Sequence, residues 1–164
     1  MKNTILSLTV IAALGASFAV PAFASDSATQ TVTYEVSAIN ELSVSSNAVS
    51  LTVNAATAGS APTAATNSAT SYAITTNETG RKITGAINTD MPAGVTLSAT
   101  LAGPTGATSS GKKVLSSVTT DLVTGISTLN ESGKGIGYEL SATSAAGIVP
   151  SASKTVTLTI TAGA

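Results

Sequence analysis

Few side chains in this sequence are equipped for catalysis. There are eight acidic and seven basic residues, and neither His nor Cys. Without His, a Ser-His-Asp triad is impossible. Without His and Cys, the familiar zinc ligand sets of enzymes are absent. Carboxylates remain, and a pair of them flanking a cleft is the machinery of glycoside hydrolysis. Here they are scattered. Glu78, Asp90, Asp121 and Glu131 are expected on turns, and Glu35 and Glu139 on the polar faces of strands. That distribution suits solvated charges that keep sheet edges soluble. A calcium loop would draw on Asp or Glu with backbone carbonyls. No D-x-D-x-D-G pattern appears, and Asp90 and Asp121 are the least unsuited candidates.

Ser and Lys are abundant, yet no nucleophile elbow stands out, and 151–154 reads more simply as the start of the last strand. Sugar binding by stacking calls for exposed aromatic rings. The chain has no Trp, and Tyr34, Tyr72 and Tyr138 lie in phase with apolar neighbours, which predicts core packing for each. Asn77-Glu78-Thr79 and Asn130-Glu131-Ser132 match the glycosylation pattern but are read as turns. No catalytic residue, metal ligand or cofactor-binding motif emerges.

The elements that would position these groups are strands. Apolar residues alternate with polar ones over most of the chain after residue 28, the period of a half-buried strand. Val32, Tyr34 and Val36 share one face of 29–36, and Ala38 prolongs it. Leu42 and Val44 form a short second run, and Val49, Leu51 and Val53 a third. Residues 54–70 are poor in large apolar groups and contain Gly59 and Pro62, a loop signature. Tyr72 and Ile74 open the next strand, 77–80 is a turn, and 82–87 returns, so the two are expected to form a hairpin. After a turn at 90–94, Val95, Leu97, Ala99 and Leu101 alternate strictly. Weaker strands are expected at 114–118 and 122–126, with a turn at 130–133. Ile136, Tyr138, Leu140 and Ala142, then Val156, Leu158 and Ile160, form what reads as a terminal hairpin. About eight to ten short strands predict one antiparallel immunoglobulin-like β-sandwich over 25–164. A membrane barrel would need aromatic girdles, and five aromatic residues cannot build them.

The N-terminus predicts export. Lys2 precedes an almost wholly apolar or small-residue run from Ile5 to Val20, Pro21 ends it, and Ala22-Phe23-Ala24 has the A-x-A form. A signal peptide over 1–24 is expected, cut between Ala24 and Ser25, which leaves no membrane span. The predicted localisation is extracellular or cell-surface, by way of the periplasm if the source is Gram-negative. Net charge is −1, and no basic cluster exceeds a pair. That excludes the positive stripe nucleic-acid binding needs. The polar surface must come from Ser, Thr and Asn, which stay neutral at any pH.

Cleavage would bring the strand at 29–36 close to the new N-terminus. Such a strand either pairs within its own domain or completes a neighbour's sheet by strand addition. The C-terminal run TVTLTIT is uncharged. Left at an edge, it would be a strong association site.

A signal sequence, then QTVTYEVSAINELSV, then Thr-rich strands and YELSAT…SKTVTLTIT, resembles bacterial fimbrial subunits of the CS1 pilin type. The resemblance implies an immunoglobulin-like sandwich without catalytic residues. It also implies polymerisation by donation of an N-terminal segment, here 25–37 with Val32, Tyr34 and Val36 as donor residues. The expected function is a secreted structural or adhesive subunit, assembling with copies of itself or other surface subunits. The alternative is a monomeric binding module for a glycan or a surface protein. An enzyme ranks last.

Overall fold

The computed structural model describes residues 26–163. The expected signal peptide and its cut between Ala24 and Ser25 lie outside the described residues. The described residues fall in two units that divide between Glu35 and Val36. In the first, residues 26–35 form no strand. The second carries all nine described strands.

These strands form two antiparallel sheets. One has the order β1-β2-β8-β4-β6: β1 is Asn40–Val44, β2 Ala65–Thr76, β4 Val95–Leu101, β6 Lys113–Val114 and β8 Leu129–Ala142. The other has the order β5-β7-β3-β9: β3 is Arg81–Ile87, β5 Thr108–Ser109, β7 Thr120–Ile126 and β9 Val156–Ala162. The only described helix is a single 3-10 turn at Ser144–Ala146. One apolar core draws on both sheets. Tyr72, Ile74, Leu101 and Ile136 come from the first, and Ile83, Leu122, Val123 and Ile126 from the second, all nearly inaccessible. The arrangement is all-β and consistent with a sandwich.

Neither expected hairpin exists. The turn at 77–80 carries the chain from β2 in one sheet to β3 in the other, and β8 and β9 likewise belong to different sheets. β1 and β2 are the only consecutive strands that pair. Alternation tells which face of a strand is apolar; it carries no mark of which backbone edge lies beside it.

Bulges account for several missed boundaries. β8 runs through 130–133, expected as a turn. Tyr72 pairs with Lys134 but Ile74 with Glu131, so β8 has one residue more than β2 there. Gly133 takes φ +69° at this point, as in a bulge built on a left-handed glycine. β2 begins inside the expected loop, at Ala65. Its small side chains conceal a strand that also bulges, because Asn67 faces Tyr138 while Thr70 faces Ile136. β7 slips twice against β3, which turns the adjacent Leu122 and Val123 both inward in place of an alternating Leu122, Thr124 and Ile126. Of 114–118 only the first position is in a strand, and 49–53 forms none. There Leu51 packs singly against the core, and without a neighbouring edge its flanks make no ladder.

Gly85 leaves room for Leu122 beside the β3 backbone. A Cβ at this position would lie 2.5 Å from Leu122 Cδ1. Its absence lets Leu122 pack directly against the β3 backbone.

Candidate functional site

The carboxylates do not converge on a cleft. Glu78 accepts from Asn40 Nδ2 and pairs with Arg81, the amide hydrogen bond and then the guanidinium holding its acid form below the usual range. Asp90 accepts the Ser117 N–H at 2.6 Å, which lowers it likewise. Asp121 pairs with Lys82 at 3.1 Å, and Glu139 with Lys112 at 3.0 Å. Glu131 meets Lys134 at 2.5 Å and the Thr105 N–H at 3.0 Å. Those two partners, Lys134 first, hold it at about 2. Asp121 and Glu131 lie within β7 and β8 rather than on turns. Each of these acids ties one segment to another. Among the described residues no three His, Cys, Asp or Glu side chains are grouped to hold a metal.

The lysine of the 151–154 stretch is engaged in the same way. Ser151 and Lys154 have S-x-x-K spacing, but Lys154 Nζ donates to Thr89 Oγ1 at 2.6 Å and to the Asp90 carbonyl at 2.9 Å. Residues 151–155 precede β9 rather than starting it. A shallow depression of about 170 Å³ lies where β2, β8 and β4 adjoin, around Gly137 and rimmed by Thr66, Ser68, Thr100, Lys112 and Glu139. The Lys112–Glu139 pair already satisfies its charges.

The three tyrosines, expected to behave alike, part company. Tyr72 is buried, and its hydroxyl donates to the Ala102 carbonyl at 2.5 Å. Burial pushes its acid dissociation up to about 12. Tyr138 packs half-buried against the core, which also raises it. Tyr34 is 90% exposed, with Val32 at 73% and Val36 at 78%. The expectation of core packing for Tyr34 therefore fails, and the strand expected over 29–36 is absent, since residues 27–39 belong to no strand. An apolar side chain needs a second surface to cover it. Three in alternation, all uncovered, are an unusual investment for an irregular segment.

The second exceptional feature is β9. It pairs with β3 along its whole length, from Val156 opposite Ile87 to Ala162 opposite Arg81. Its other edge meets no described strand. Val156, Leu158 and Ile160 are half-buried against the core, while Thr157 and Thr159 are exposed. No charge interrupts 156–162 to discourage pairing. β1 is also an edge strand and comes within 8 Å of β9, with no ladder between them. Both sheets thus end unpaired on the same margin.

Sequence reading singled out Val32, Tyr34, Val36 and the terminal strand. It missed Asn77, whose turn signal concealed its contacts with Ser37 and Ile39. No family model, curated protein or solved structure matches the chain.

Proposed function

We propose that the protein is a secreted structural subunit of a surface filament. In this reading its domain is an immunoglobulin-like sandwich, and it assembles when residues 26–36 of one copy add as a strand to β9 of the next. The observation that carries it is the coexistence of two unmatched halves. Val32, Tyr34 and Val36 are exposed in a segment without a ladder. β9 offers an uncharged edge with a half-buried apolar face. Their chemistries correspond: backbone groups complete the ladder, and alternate side chains enter the uncovered margin. The lengths suit as well. Eleven residues extended at about 3.3 Å each reach roughly 36 Å, and the seven of β9 need about 23 Å. A second copy is the fitting occupant because every copy carries both halves. Export through a cleaved signal peptide, by way of the periplasm in a Gram-negative source, would deliver the chain to the cell surface.

Removing residues 26–36 tests the reading. The mature protein should form filaments visible by electron microscopy, and the truncated protein should stay monomeric with unaltered thermal unfolding. Filaments formed by the truncated protein would sink the proposal. The alternative of a monomeric glycan-binding module has only the shallow depression around Gly137 in its favour. Its one aromatic lining residue, Tyr138, packs half-buried against the core.

A further inference from the structure

We infer that the Asn77 carboxamide fixes where the donated arm ends and the domain begins. The consequence for filaments rests on the strand-donation reading, but the clamp itself does not. β1 and β2 pair in register from Val44 opposite Tyr72 to Asn40 opposite Thr76. The next rung starts normally, as the Asn77 N–H donates to the Ile39 carbonyl at 3.3 Å. β2 then turns away at 77–80 towards the other sheet. A regular antiparallel ladder would return a bond from Ile39 N–H to the Asn77 carbonyl and then receive one at Ser37 from the departing strand.

The Asn77 side chain supplies both. Its Oδ1 accepts the Ile39 N–H at 2.8 Å, and its Nδ2 donates to the Ser37 carbonyl at 2.8 Å. One planar amide thus replaces two backbone groups that have left the sheet. Only a side chain with an acceptor and a donor at this reach can do so. Asp keeps the acceptor but sets a carboxylate oxygen against the Ser37 carbonyl. Ala supplies neither. Nearby, Asn40 is fixed independently, its Oδ1 accepting from Thr76 Oγ1 at 2.8 Å and its Nδ2 donating to Glu78. Losing the clamp should therefore loosen the Ile39 amide and the Ser37 carbonyl and leave Asn40 in place. The compact unit begins at Val36, next to the clamped Ser37.

Without the clamp, the stretch between domain and donated strand is held by two hydrogen bonds fewer. The Asn77 amide then governs how rigidly one subunit holds the next, not whether they join. Amide exchange on the unassembled full-length mature protein tests the clamp. Asn77→Ala and the near-isosteric Asn77→Leu, which both lack the acceptor, should each speed exchange of the Ile39 amide roughly tenfold. Thr79→Ala on the same turn should leave it unchanged, as should any of the three changes for amides in β3. Unaltered Ile39 exchange in both Asn77 variants would overturn the inference. Where filaments form, those of Asn77→Ala should show a wider spread of bend angles between subunits, and an unchanged spread would overturn the mechanical role. A wild-type protein that forms no filaments would defeat the strand-donation reading, while the Ile39 result would still decide the clamp.

Discussion

Two segments of this chain are nearly the same sentence with different endings. Residues 31–36 read TVTYEV and residues 155–160 read TVTLTI. Both place apolar side chains at every second position, and both have strong strand-forming composition. Yet Val156, Leu158 and Ile160 lie half-buried in a ladder with β3, while Val32, Tyr34 and Val36 stand exposed and unladdered. What separates them is a neighbour. β3 presents β9 with a backbone edge and an apolar floor, and no described strand does so for 31–36. A strand is a property of a pair, and its pattern records only readiness to join one.

An aspartate placed in each segment should have opposite consequences. Ile160→Asp puts a carboxylate against the core and should cost about 3 kcal/mol or more in urea unfolding. Tyr34→Asp should change subunit stability by less than about 0.5 kcal/mol, yet block assembly. Equal stability losses would mean that 31–36 is paired in its own domain after all. A smaller effect concerns the floor that β9 enjoys. Gly85→Ala would force a methyl group into Leu122, and such overpacking costs about 1–3 kcal/mol. Guanidinium unfolding measures it, and an unchanged midpoint would show that the Leu122 side chain can shift without loss.

The smallest effect is electrostatic. Glu131 is held at about 2 when folded, below its ordinary value of 4.5, by Lys134 and the Thr105 N–H. A depressed acid stabilises the fold above its unfolded value and loses that contribution as pH falls towards the folded one. Stability should thus decline between about pH 4.5 and pH 2, and Glu131→Gln should flatten that part of the profile. Thermal melts across this window would show it, and an identical slope in the variant would refute the assignment.

Much of the fold was legible where side chains alternate without interruption. Val95 to Leu101 forms β4 with the expected limits, and Val156, Leu158 and Ile160 alternate along β9 as expected. Legibility fails where the backbone, not the side chain, carries the structure. The bulge at Gly133 keeps Asn130-Glu131-Ser132 in β8 although those residue types favour turns. Small residues at 65–69 contribute ladder bonds without an apolar signature. The candidate site divides in the same way. Val32, Tyr34 and Val36 announce themselves by alternation, but Asn77 looks like any turn asparagine until its amide is seen bridging Ser37 and Ile39.

By itself, the sequence determined a chain without His or Cys chemistry, all-β in character, with one alternating segment near each end. Those are consequences of residue type and of the two-residue period. Only the tertiary structure decided that β8 and β9 lie in different sheets, that β9 is left at an edge, and that 31–36 stays uncovered. Those outcomes depend on which backbone edges meet. Backbone N–H and C=O groups are the same at almost every residue, so the choice of partner leaves no local trace in the pattern.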